Sequence, residues 1–326
     1  MNVVDKKANW KALHKIRQQI EKSVQAELDK MGIQYKIISR LKSKESLITK
    51  IKSKNEIQPD YYSINGKKIQ DLIGIKVLTY FADDVNICVQ FFKSKCITES
   101  SSVDDVTPYT FKPRRNNLVF NMSNEGKEEF QKVLNNLNYI YLMVDTTYEV
   151  QFRTALSDGW HEIEHFLRYK NKNDWEPFPN EDRMLNGILG AIESHDMSLN
   201  ALFNELSHKH YMNKKWETMM RMKYRLTFSN ESMDTNIINL LNEEHELAKV
   251  IYEYNRTKFI NGLAQEKYYI KGKKGKKEKI QITFNNVACI IIKLAHREGN
   301  KLANLSQNAN NLINSFISTI EFKEEI

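Results

Sequence analysis

The sequence predicts an α+β fold, with strands in the first half of a 326-residue chain and a mainly helical region after it. Three observations carry this. The run Glu149-Val150-Gln151-Phe152-Arg153-Thr154 alternates, so Glu149, Gln151 and Arg153 share one strand face and Val150 and Phe152 the other. The run Trp175-Glu176-Pro177-Phe178-Pro179 is the clearest breaker in the chain, and apolar residues recur at helical spacing beyond it. A hydrophobic content of 41% is enough for a sizeable core, and the length suits one large or two modest domains.

The elements follow in chain order. Trp10, Leu13, Ile16, Ile20, Val24 and Leu28 mark an amphipathic helix over 7–31. Residues 36–170 read as a core with strands near 73–81, 117–122 and 140–153 and a helix near 125–136. The β-rich run Ile140-Tyr141-Leu142-Met143-Val144 leads into the alternating strand. A helix over 156–170 carries Ile163, Phe166 and Leu167 as an apolar stripe. Beyond the breaker, Met184, Leu185, Ile188, Leu189 and Ile192 form one stripe and Leu199, Leu202, Phe203 and Leu206 another. Asp234 reads as the N-cap of a helix from Asn236 to about Arg256. Helices over 286–296 and 302–316 close the chain. The expected domains are 1–175, the core with its N-terminal helix, and 180–326, mainly helical with a basic β-hairpin near 266–284.

That hairpin joins Tyr268-Tyr269-Ile270 to Ile280-Gln281-Ile282-Thr283-Phe284 through a Gly-containing loop rich in lysine, including Lys273, Lys274, Lys276 and Lys277. Such a tip attracts a phosphodiester backbone without reading sequence, and RNA contact is one expectation. A solvated loop is the other. The formal net charge of +8 and pI near 9.1 favour polyanionic partners, although Lys/Asn/Ile richness also follows from coding bias. Three scattered cysteines argue against a disulfide framework or zinc ribbon and suit a reducing compartment. No run approaches the ~20 apolar residues of a membrane span, and the charged start Asp5-Lys6-Lys7 has no signal-peptide character, so a cytoplasmic protein without membrane attachment is expected.

Several polar residues point to phosphate chemistry. On the alternating strand, a carboxylate such as Glu149 can hold Mg²⁺ or take a proton, and Arg153 can clamp a phosphate, although an edge strand with a solvated polar face has the same pattern. Steps of four from Lys42 to Ser46 to Lys50 put these residues on one helical face, suited to a triphosphate or simply to water. Asp71 opens the apolar run Leu72-Ile73-Gly74-Ile75-Lys76-Val77 and suits a metal or a plain turn.

Taken together, Glu-x-Gln-x-Arg-Thr at 149–154, Trp-x-x-x-Glu-His at 160–165 and Tyr169-Lys170 resemble the RelA/SpoT-type alarmone synthetase domain. Arg40-x-Lys42, Ser46 and Lys50 resemble its ATP-binding segment, and Asp71-x-x-Gly74-x-Lys76 its Asp-x-x-Gly-x-Arg strand. The order of these segments agrees with that family, while residues 180–326 lie outside the resemblance. The resemblance implies a nucleotidyltransferase-like mixed sheet flanked by helices. It implies transfer of the β,γ-pyrophosphate of ATP to a 3′-hydroxyl, that of a purine nucleotide or of tRNA. Asp71 and Glu149 would hold Mg²⁺ and act with Gln151 and Arg153. Arg40, Lys42, Ser46, Lys50 and Lys76 would serve ATP, and Lys112, Arg114, Arg115, His165, Tyr169 and Lys170 the acceptor side. A growth-arrest toxin or a phage-defence factor fits such chemistry, as do self-association and a regulatory partner.

Two departures bear on substrate binding. The family has arginine where Lys76 stands; with the residue matching Arg40 it sandwiches adenine, and lysine lacks a stacking plane. The family's acceptor loop, Lys-Pro-x-x-x-Gly-Tyr-x-Ser-x-His, has Asn117-Leu118 here for Gly-Tyr and Met122 for His, so its base-stacking tyrosine is missing. A nucleotide-sensing module on a degenerate synthetase fold is therefore the alternative. His161-Glu162-Ile163-Glu164-His165 also satisfies the His-Glu-x-x-His pattern of zinc proteases, a weaker alternative in which His161 would be a ligand rather than a surface or rim residue.

Overall fold

The structure is a computed structural model describing residues 3–104, 114–271, 276–300 and 305–323, with side chains from residue 8 onward. The chain forms two compact units, one of residues 1–26 and 35–194 and the other of residues 27–34 and 195–326.

The first unit is built on a mixed five-stranded sheet. Its strands are β1 (Tyr35–Leu41), β2 (Ile73–Thr79), β3 (Ser102–Val103), β4 (Asn116–Asn121) and β5 (Thr147–Thr154), in the spatial order β1-β2-β5-β4-β3. Only β2 and β5 run parallel; the other neighbours are antiparallel. The helices are α1 (Val3–Met31), α2 (Lys44–Ile57), α3 (Ala82–Lys93), α4 (Asn124–Asn135), α5 (Ala155–Ile163), the single turn α6 (Lys172–Trp175) and α7 (Pro179–Met212), of which α1 and α7 each run into the second unit.

Register divides the sheet into two faces. Ile37, Ile75, Val77, Val150, Phe152, Leu118 and Phe120 lie on one face, where α3 covers them: Phe92 meets Phe152 at 5.3 Å and Phe120 at 6.1 Å between ring centroids. Burying such side chains contributes about 1.5–3 kcal/mol each. A second cluster at the end of the sheet joins Leu13, Leu47, Leu72, Phe130, Val133, Tyr141 and Met122. The opposite face carries Arg40, Gly74, Glu149, Lys76, Gln151, Asn117 and Arg153. Strand pleating, which sends successive side chains to opposite faces, therefore gives one sheet both a core and a charged platform.

Several elements differ from the sequence expectation. Residues 140–143 lie in a 3-10 turn (Tyr139–Met143) rather than in β5; Ile140 and Tyr141 are apolar because that turn is buried. Lys42 precedes α2, whose N-cap is Ser43, so Lys42, Ser46 and Lys50 do not share one helical face. The stripe Ile163, Phe166 and Leu167 is exposed, as are Met184 and Ile188, while Leu189 is buried. Strand β1 carries no alternation strong enough to stand out in the sequence, because its outer face holds Lys36, Ile38 and Arg40 and its inner face is only half-buried.

The second unit contains α8 (Trp216–Tyr224), α9 (Thr235–Glu243), α10 (His245–Glu253), α11 (Arg256–Ala264), α12 (Phe284–Arg297) and α13 (Gln307–Ile317). Asp234 caps α9 by accepting from the Asn236 amide at 2.8 Å, but the helix expected to reach Arg256 breaks at Glu244 into α9 and α10. Its small sheet is β6 (Tyr268–Lys271), β7 (Lys277–Glu278) and β8 (Ile320–Phe322), ordered β7-β6-β8. Ile280 and Ile282 are buried outside any strand and lead to Thr283, the N-cap of α12, so 280–284 is not the second hairpin strand. At Gly262 a Cβ would sit 2.6 Å from Tyr268 Cε1, which excludes any side chain there. No helix among the described residues is long and apolar enough to cross a membrane.

Candidate active site

The charged face of the first sheet is organised around two ionic centres. At the first, Asp71 sits just before β2 and accepts from the ammonium groups of Lys42 and of Lys50, the latter at 2.9 Å. Lys42 is fixed where β1 ends, its amide donating to Leu72 O at 2.9 Å, and Lys50 projects from α2. Both ammonium groups use Asp71 Oδ2; Asp71 Oδ1 is buried with no hydrogen-bond partner among the described residues. Burial pushes the Asp71 carboxyl up, but the two lysines outweigh it and hold it below the ordinary value. Burial also lowers Lys42, opposed by Asp71.

Glu149 lies beside this centre and acts electrostatically on both Lys42 and Lys50. Asn117 Nδ2 donates to Glu149 Oε1 at 3.0 Å and Gln151 Nε2 donates to Oε2 at 2.7 Å, so both oxygens are oriented. In the sheet row Arg40–Gly74–Glu149, glycine stands between the arginine and the carboxylate. Arg40 runs over it, its Nε 3.8 Å from where a Cβ would stand.

The second centre has the opposite arrangement. The ammonium of Lys76 is held by two carboxylates of α5, Asp158 at 2.8 Å and Glu162. The i, i+4 spacing of these acids on a helix turns both toward β2. Arg153 stands 3.8 Å from Asp158. His161, expected at the surface or rim, is buried; burial, with the charges of Arg153 and Lys76, pushes its pKa down to about 3. The backbone changes to a π-turn over Glu164–Arg168, so His161 and His165 do not share the regular helix that a zinc motif needs. With His161 buried and Glu162 paired to Lys76, these residues do not fit a zinc protease.

The remaining residues named from the sequence are placed as follows. Ser46 is exposed; its amide bonds the Ser43 cap at 3.2 Å. Arg114 pairs with Glu193 at 2.8 Å and Arg115 with Asp104 at 2.8 Å. His165 and Tyr169 stack on each other, and Lys170 lies 5.8 Å over the Phe166 ring. Trp160 is buried and donates to Leu185 O at 2.9 Å, while Arg168 covers it and pairs with Asp182 at 3.0 Å, so this part of the motif anchors α7. Lys112, Lys273 and Lys274 lie outside the described residues; Lys276 and Lys277 are exposed, with Lys277 4.7 Å over the Tyr269 ring. Leu118, aligned with the family's stacking tyrosine, is fully buried on the core face, and Met122, aligned with its histidine, is buried in the end cluster. Neither position faces Glu149. Asn117 does, and sequence reasoning missed it because only the register with Gln151 shows its face. Asp158 was missed, and Glu162 entered only through the His-Glu-x-x-His pattern, because the lysine that both acids hold lies on a strand distant in sequence.

The oxygen chemistry of Asp71 and Glu149 fits a hard divalent cation: Asp71 Oδ1 is a buried acceptor without a hydrogen-bond donor and Glu149 is an oriented carboxylate beside it, and a cation there would displace the two lysines from Asp71.

Comparison with known proteins agrees with these motifs. Residues 39–174 match the family described as a region found in RelA / SpoT proteins. No curated protein matches. Among solved structures, the small alarmone synthetase 1 from Bacillus subtilis shares 18% identity over 61% of this chain and 98% of its own, with a TM-score of 0.39. The same synthetase bound to its product pppGpp shares 18% identity over 60% of this chain and 97% of its own, with a TM-score of 0.38. A GTP pyrophosphokinase family protein from Streptococcus pneumoniae shares 18% identity over 62% of this chain and 94% of its own, with a TM-score of 0.39. The family match spans Arg40, Asp71 and Glu149 through Tyr169, and residues 39–174 of this chain are thus similar to the region found in RelA / SpoT proteins.

Proposed function

We propose that the chain is an ATP-dependent pyrophosphotransferase whose chemistry lies in residues 1–175. The observation that carries this reading is the Asp71 centre: two lysines converge on a carboxylate that keeps a buried acceptor unpartnered, beside an oriented Glu149, within the matched domain. Asp71 and Glu149 would hold Mg²⁺, which when bound neutralises charge on the β- and γ-phosphates. Lys42 and Lys50 then turn from Asp71 toward the triphosphate oxygens. The acceptor's 3′-oxygen forms a bond to the β-phosphorus, the bond from that phosphorus to the α–β bridging oxygen breaks, AMP leaves, and the hydroxyl proton passes to Glu149. Asn117 and Gln151 hold that carboxylate in register for the transfer.

The acceptor is the finer part of the proposal. The net charge of +8 and the exposed Lys276 and Lys277 support a polyanion, and the 3′ end of tRNA is the acceptor we favour over a free purine nucleotide, with residues 180–326 serving it. A blocked tRNA 3′ end would stop translation, which suits a growth-arrest toxin or a phage-defence factor. The test is to incubate the purified chain with γ-labelled ATP and, separately, GDP, GTP and tRNA. Label in tRNA that falls steeply with salt, and falls further when Lys273, Lys274, Lys276 and Lys277 are replaced by glutamine, is the expected result. Efficient labelling of GDP or GTP with those replacements neutral would restore the ordinary nucleotide acceptor. A second reading, a nucleotide-sensing module without transfer, is favoured by the engagement of Lys76 and Arg114 with carboxylates of the chain itself; ATP binding without label in any acceptor would select it.

A further inference from the structure

We propose that the stacked ring pair His165–Tyr169 is a nucleobase platform of this domain, taking the flat face of a purine on the side toward Arg40. The inference rests on the nucleotide reading above and names the base contact that reading lacks.

The two positions at which the family stacks a base, held here by Lys76 and Leu118, are both closed to that role by the fold as well as by residue type. Lys76 is closed into its pair with Asp158 and Glu162, and Leu118 lies in the core. The i, i+4 spacing of His165 and Tyr169 instead brings their rings together at the π-turn Glu164–Arg168, 5.7 Å between centroids and 15° between planes. The turn is held from outside the ring pair: Asn171 Nδ2 donates to Phe166 O at 2.9 Å and Trp175 Nε1 to Leu167 O at 2.8 Å. A ring pair fixed in this way loses little freedom when a base joins it.

The pair is open to ligand. Tyr169 is 59% exposed, a large aromatic left in water. The ammonium of Lys172 lies 5.3 Å over the Tyr169 ring, and the charges of Lys170 and Arg40 act on His165. Burial, with those two cations, holds His165 below its ordinary pKa, which keeps the imidazole neutral and suited to stacking at neutral pH. Arg40 supplies a planar guanidinium on the same charged face as Glu149. A purine stacked on the His165 ring would lie in the field of the Arg40 guanidinium, with Lys170 and Lys172 near for its phosphates. Either the donor's adenine or the acceptor's base has the required π-face.

Equilibrium binding to the full chain tests this without requiring turnover. Non-hydrolysable ATP, GDP and inorganic tripolyphosphate are titrated into the unsubstituted protein and into His165→Ala, Tyr169→Ala and Tyr169→Phe, each checked for an unchanged melting transition. The alanine variants should weaken one nucleotide by about tenfold to a hundredfold and leave tripolyphosphate within about twofold, while Tyr169→Phe stays close to the parent. Loss for the ATP analogue assigns the platform to the donor, and loss for GDP to the acceptor. Unchanged nucleotide affinity in both alanine variants, or an equal loss for tripolyphosphate, overturns the proposal. Absence of pyrophosphate transfer would sink the catalytic reading and leave this binding result standing.

Discussion

The two ionic centres on the charged face of the sheet are inverse in composition, and the proposed function reads one as the place that receives a ligand and the other as a tie within the fold. At Asp71 two ammonium groups share one carboxylate oxygen, and the other oxygen is buried without a partner. At Lys76 two carboxylates share one ammonium, and the lysine ties β2 to α5. A buried acceptor without a donor is costly, ~1–3 kcal/mol, and a cation bound at Asp71 would relieve that cost. At the Lys76 centre Asp158 Oδ1 is likewise buried without a hydrogen-bond partner, but the Lys76 ammonium stands 2.8 Å from it and meets its charge.

The strongest way to break this comparison is to remove the charge at the open centre. Asp71→Asn and Glu149→Gln keep volume while removing the anions, so each should lower pyrophosphate transfer by at least roughly 10³-fold, equivalent to several kcal/mol of lost charge stabilisation. Labelled product from γ-labelled ATP is the measurement; near-normal turnover in either variant would show that the unpartnered oxygen has no ligand.

Acid stability probes the Lys76 centre, beside which His161 is buried. His161 has a folded pKa of about 3, lowered by burial and by Arg153 and Lys76, against an ordinary value near 6.5. The unfolded chain therefore binds the extra proton first. Stability from the neutral ring is full above about pH 6.5 and is lost as pH falls toward about 3, by up to a few kcal/mol. Denaturant midpoints across that window should fall for the parent and stay flatter for His161→Gln, whose amide does not titrate there. Parallel curves would show that the ring is not held neutral.

Smaller effects are expected where the fold and the alignment disagree. If Leu118 faced the acceptor, Leu118→Tyr would restore base stacking and tighten GDP binding. Its burial beside Val150 predicts the reverse: no gain in affinity, and a loss of about 1–3 kcal/mol from overpacking and a buried hydroxyl, read as a lowered melting temperature. Smallest is Lys76→Arg. A guanidinium would still be taken by Asp158 and Glu162, so ATP affinity should change by less than about tenfold, with stability within about 1 kcal/mol. A large tightening would mean that the side chain leaves its acids for the adenine.

The sequence by itself determined the α+β class, the alternation of β5 and the identity of the polar residues that share its charged face. Period-two alternation and a string as mixed as Glu-x-Gln-x-Arg-Thr are local facts that survive folding. It also determined the cap at Asp234, because capping is chemistry within a few residues. Only the tertiary structure decided which face Leu118 occupies, that Asn117 reaches Glu149, and that the lysine aligned with an adenine-stacking arginine is bound by α5. Sheet register sets those outcomes, and a shift of one residue reverses a side chain's face. The 3-10 turn at Tyr139–Met143 and the π-turn at Glu164–Arg168 were hidden for a related reason. Apolar residues read alike in a strand, a helix or a buried turn until a neighbouring element claims or leaves their surface.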